Sequence, residues 1–211
     1  MDMGSPWSVA YFASTLAMWV VMMTVMMLPS AMPMLRVVAA TSRQAVAAGG
    51  QASPPIITTL GYLTAWLGFS IGATLLQMVL LDRARLSPGL VLLDRRLAAI
   101  LLIGAGAYQL TPIKSACLVR CRSPFSVMLH GWRDGARGAL LMGMEQGVYC
   151  VACCWAMMLV LFVAGVMNPY AIALLGTLVA LEKLAHSERW PRWLLGVGLL
   201  AWGVLMVVAQ V

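Results

Sequence analysis

Charge is what this chain has least of. Only 14 of its 211 residues are Lys or Arg and 7 are Asp or Glu, so 10% are charged, where soluble domains carry about a quarter. Residues 3–35, 44–81 and 193–211 contain no charged side chain at all. Histidine occurs twice. The sequence has no phosphate-cradling glycine loop, no HExxH pair and no chain of carboxylates resembling a proton pump. Five cysteines in a chain this apolar are not a secreted disulfide framework. Together these absences exclude a soluble enzyme, a nucleic-acid binder and a disulfide scaffold.

What remains is hydrophobic: 62% of the residues are apolar and the mean hydropathy is +0.90. A helix needs about 20 apolar residues to cross a bilayer, and several stretches supply them. The expected fold is an all-α polytopic membrane protein, one transmembrane helical domain over residues 1–211. The net charge of +7 reads as loop bias, not as a nucleic-acid footprint. The first apolar segment lacks a basic leader, so it reads as a span, not as a removable signal.

The pattern predicts a bundle of six spans. The first covers 9–28 and breaks at Pro29 and Pro33, since proline removes a backbone donor. The second covers 56–81, after a loop at 49–55. The third, 97–114, is broken near its end by Thr111-Pro112. The fourth covers 138–167 and stops at Asn168-Pro169. The fifth, 170–183, is barely long enough, and a tilted or re-entrant segment there would leave five crossings. The sixth covers 193–211.

Lys and Arg then divide unequally between the two sides. One side holds Arg36, Arg43, Lys114, Arg120, Arg122, Arg133, Arg137, Lys183, Arg189 and Arg192. The other holds Arg83, Arg85, Arg95 and Arg96, with Asp82 and Asp94 nearby to pair with them. The first side is expected to be cytoplasmic in a bacterial inner membrane. Both termini then lie outside, and the loop carrying Cys117 and Cys121 lies inside.

Three of the five cysteines lie in the run Cys150-Val-Ala-Cys153-Cys154, in the middle of the fourth span. At 100° per residue, Met142, Gln146, Cys150, Cys153, Cys154 and Met157 share about 120° of one helical face. Thiols and thioethers are soft ligands suited to Cu(I) and, secondarily, Zn(II); a small apolar cysteine also packs well between helices. Glu145, one turn earlier, either faces this cluster or snorkels to the interface. Cys117 and Cys121, with His130 further along, offer a looser set of ligands. Methionine is abundant at 17 residues. Met18, Met22 and Met26 recur at every fourth position, so Met22 and Met26 are candidate relay ligands beside the thiols. Gly68-x-x-x-Gly72 and Gly143-x-x-x-Gly147 are patterns that let helices approach closely.

Three segments in this order, Met-Met-Leu-Pro-Ser-Ala-Met-Pro (26–33), Cys117-Leu-Val-Arg-Cys121-Arg-Ser-Pro124 and Tyr149-Cys-Val-Ala-Cys-Cys-Trp-Ala-Met-Met158, resemble a bacterial family described as predicted metal-binding integral membrane proteins. The resemblance covers nearly the whole chain. It implies a metal site on the cysteines, with one departure: a histidine frequent in that pattern is Gln146 here, and a glycine is Ala152.

Three functions suit these residues. The first is a soft-metal protein that binds, handles or delivers Cu(I). Its candidate ligands are Cys150, Cys153, Cys154, Cys117, Cys121, Glu145, Met22, Met26, Met142 and His130. The second is a structural or assembly subunit of a larger membrane complex whose cysteines only pack. The third is a membrane thiol–disulfide oxidoreductase using Cys150/Cys153 and Cys117/Cys121 as redox pairs. The expected partners are the lipid bilayer and either other membrane subunits or a metalloprotein client, with no nucleic acid.

Overall fold

The computed structural model describes residues 7–49, 51–122, 133–184 and 190–209, which are helical apart from short connections. Helix α1 spans Val9–Ala47, α2 Pro55–Asp82, α3 Arg95–Leu110, α4 Pro112–Arg122, α5 Gly135–Leu159, α6 Pro169–Leu184 and α7 Trp190–Val208, with a helical turn at Leu161–Ala164 after α5. The starts follow ordinary capping chemistry. Ser8 Oγ accepts the Tyr11 amide of α1 at 3.2 Å, and Asp94 accepts the amides of Arg96 and Leu97. Pro55 opens α2, and Pro169 opens α6 behind Asn168, whose Oδ1 accepts the Tyr170 amide at 3.0 Å.

Helix α1 corrects one expectation, because it runs through Pro29 and Pro33 without ending. Both prolines lie on its exposed side, while Trp19, Met23, Met27, Ala31, Met34 and Val38 form an unbroken buried face. Four residues apart, the two rings free carbonyls only on that outer side, so packing holds the helix where propensity alone would stop it. The expected break at Thr111-Pro112 is present as a 65° bend between α3 and α4. Cys117 and Cys121 therefore ride on a helix, not in the loop expected for them.

The connection between α2 and α3 is folded back onto the bundle. Leu86 and Leu92 form an isolated bridge, and Leu86, Leu90 and Leu92 are buried. The Leu92 amide donates to the Phe162 carbonyl at 2.8 Å. Arg85 pairs with Asp94, as the charge pattern suggested.

Helix α5 is the central element, packed on α2, α3, α4 and α6. Of the apolar window in Gly135–Ala164, 56% is buried, against 11% for α7. Glycine permits its closest approach: a Cβ at Gly143 would strike the Thr58 carbonyl, one at Gly61 the Leu140 carbonyl, and one at Gly147 the Tyr62 carbonyl. Gly68 and Gly72, the other patterned pair, face open space.

Among the described residues, four helices are long and apolar enough to cross a membrane, and the bent α3–α4 pair would make a fifth. Helix α6 has 16 residues, about 24 Å at 1.5 Å per residue, short of a hydrocarbon core of about 30 Å.

Candidate metal centre

The α2–α5 contact sets Tyr62 against Cys150, with the hydroxyl and Sγ 3.0 Å apart. The same hydroxyl donates to the Met27 carbonyl of α1 at 3.2 Å, and either the hydroxyl or the thiol is the donor in its contact with Cys150. Helix α6 contributes Lys183, whose ammonium donates to Cys150 Sγ at 3.0 Å and to Ser30 Oγ at 2.9 Å. Its third neighbour is the Met27 thioether at 3.6 Å. Cys150, Tyr62, Met27 and Lys183 are all buried. Helices α1, α2, α5 and α6 thus meet around this group.

The remaining thiols gather around it. Cys153 and Cys154 direct their S–H groups to the Cys150 carbonyl at 3.1 and 2.8 Å, the local back-bonding of a small polar group in a helix. Cys121 arrives from α4, and its thiol meets those of Cys150 and Cys153. Gln146, one turn before Cys150, donates from Nε2 to the Cys121 carbonyl at 2.9 Å and so fastens the end of α4 to α5. Cys117, one turn earlier on α4, is half-buried against the same core.

The other candidate ligands are elsewhere. Glu145 is exposed on the far side of α5. Met142 is buried in a separate cluster with Met34, Val38 and Ala139. Met22 and Met26 line an apolar groove of about 650 Å³ together with Met18, Met167 and Ile172. His130 lies outside the described residues. The methionine beside the Cys150 group is Met27, one position on from Met26; the Met27 thioether lies 3.6 Å from the Lys183 ammonium.

A second polar group adjoins the first. Lys114, fully buried, donates to Glu182 Oε2 at 2.7 Å and to Gln109 Oε1, while Gln109 Nε2 donates to the other Glu182 oxygen. Arg122 donates to the Glu182 carbonyl. Lys114 and Lys183, which the sequence pattern assigned to loops, are therefore interior residues. Sequence reasoning also missed Tyr62, Met27 and Glu182. An ionisable pair at the end of an apolar run was the available signal.

The donor set is soft: thiols of Cys121, Cys150, Cys153 and Cys154, with the thioether of Met27 nearby on Lys183 and, among the described residues, no carboxylate bonded to them. That chemistry fits Cu(I) and not a hard cation. Among the described residues no three His, Cys, Asp or Glu side chains are grouped so as to hold a metal ion. What the cysteines present is paired thiols.

No curated protein and no solved structure matches this chain. A family model described as PpoB2, copper chaperone, matches residues 16–206. The chain belongs to this copper chaperone family.

Proposed function

We propose that this protein is a helical membrane protein that takes up Cu(I) on the thiols of Cys121 and Cys150 and passes it to a copper-requiring client. Cys153 and Cys154 stand close enough to assist in exchange. The observation that carries the reading is the meeting of Cys121 from α4 with Cys150 from α5, inside a chain of a copper chaperone family. Cys121 and Cys150 bring thiols from two different helices together. Two thiolates suffice for Cu(I), and the exchange of a few soft ligands suits an ion that must leave again. The charge-free stretches and the four long apolar helices support insertion in a membrane, with the bacterial inner membrane as the setting and Cu(I) as cargo.

The test is metal content. Protein purified in detergent, reduced and handled anaerobically, is expected to hold close to one copper per chain, and a Cys121→Ser/Cys150→Ser variant far less. Equal copper in both, or none in either, overturns the proposal and favours cysteines that only pack.

A further inference from the structure

Lys183 has an unusual set of neighbours for a buried ammonium. It meets Cys150 Sγ at 3.0 Å, Ser30 Oγ at 2.9 Å and Met27 Sδ at 3.6 Å, with no carboxylate among them. The adjacent carboxylate, Glu182, is held by Lys114 and Gln109 on another side of α6. Arg122, on the Glu182 carbonyl, is half-buried. A charge removed from water needs an opposite charge or it becomes very costly. Among the described residues, sulfur is the only source of that charge in contact with Lys183.

The geometry points to Lys183 as the fixed counter-charge that sets this site's preference for a monovalent soft cation. This rests on the copper-binding reading above and extends it to selectivity. With the site empty, one ammonium and one thiolate, at Cys150, sum to zero. With Cu(I) held between two thiolates, the ion and the ammonium together balance both sulfurs, again to zero. Loading forms a metal–sulfur bond at the second thiol as its S–H bond breaks, and that proton leaves to solvent. No electron moves, and Lys183 keeps its charge. A divalent ion on the same two thiolates beside Lys183 leaves one positive charge uncompensated in a buried site. A third thiolate would restore the balance, but among the described residues no three Cys, His, Asp or Glu side chains are grouped so as to hold one metal ion. Removing the lysine charge reverses the arithmetic: two thiolates then neutralise a divalent ion and leave a monovalent one short.

The experiment compares Ag(I), a redox-stable probe for Cu(I), with Zn(II) by chelator competition on the full chain in detergent. The variants are Lys183→Met, Lys183→Gln and Lys183→Arg. The parent is expected to favour Ag(I). Both neutral variants should shift the Ag(I)/Zn(II) preference toward zinc by at least tenfold, and Lys183→Arg should keep the parent preference. Lys183→Gln retains a donor toward Cys150 and Ser30, so it separates charge from packing if Lys183→Met folds poorly. A parent that binds Ag(I) with a preference unchanged in the neutral variants, or a Lys183→Arg shift equal to theirs, overturns the inference and leaves the copper reading standing. A parent that binds neither ion overturns the copper reading, and the inference falls with it.

Discussion

Lys114, which reaches α6 from α4, and Lys183 of α6 itself are both buried ammonium groups, yet their surroundings are opposite in kind. Lys114 is matched to a carboxylate and a carboxamide, Glu182 and Gln109, which also bond each other. That group is neutral and complete, and nothing in it is left to bind. Lys183, the residue after Glu182, faces sulfur and a hydroxyl. Its balance depends on what the cysteines carry. The first arrangement locks helices α3, α4 and α6 together; the second makes a place whose charge changes with its cargo. One helical register thus separates a structural ion pair from a centre able to exchange ions.

The largest effect should come from breaking the complete pair. Glu182→Gln leaves Lys114 buried without its counter-ion, and is expected to cost about 3–5 kcal/mol of stability, measured by denaturant unfolding in detergent. Replacing both partners, Lys114→Met/Glu182→Met, should recover most of it. The folded fraction of each variant should still load copper as the parent does. Loss of loading without loss of stability would show that the two centres are one.

A smaller effect is expected at Gln146. Gln146→Leu removes the 2.9 Å hydrogen bond that ties the Cys121 carbonyl to α5, a contribution of about 1 kcal/mol. Cu(I) affinity should weaken by roughly fivefold at unchanged stoichiometry. An unchanged affinity would mean that Cys121 is placed by the α4 backbone alone.

The smallest effects concern side chains set apart from the thiols. Glu145→Gln is exposed and should leave copper retention within about twofold of the parent. The same holds for the volume-preserving Met22→Leu/Met26→Leu, whereas Met27→Leu should weaken binding more than that pair does. A larger loss from Met22 and Met26 than from Met27 would show that the groove, not the buried face, carries the ion.

These contrasts also mark what the amino-acid pattern could reveal. The Cys150, Cys153 and Cys154 face, the bend at Thr111-Pro112 and the tight packing of Gly143 and Gly147 all follow from local spacing, and local spacing is readable. The partners of Cys150 are not, because Tyr62 and Lys183 are separated from it by 88 and 33 residues. Lys183 looked like a loop charge because it ends an apolar run just before a polar stretch. Methionine register was ambiguous for a related reason. Met18, Met22 and Met26 repeat with the same period as Trp19, Met23 and Met27, and a helix apolar all round does not show which stripe faces inward. Only the packing of α1 against α2, with Trp19 Nε1 donating to Gln77 Oε1 at 2.9 Å, selects the second stripe.

The most direct test of the central claim is X-ray absorption at the copper edge of the loaded parent protein. Cu(I) is expected in a low-coordinate, sulfur-only environment, with that signal lost in Cys121→Ser/Cys150→Ser. A Cu(II) edge, or a first shell dominated by nitrogen or oxygen, would contradict it.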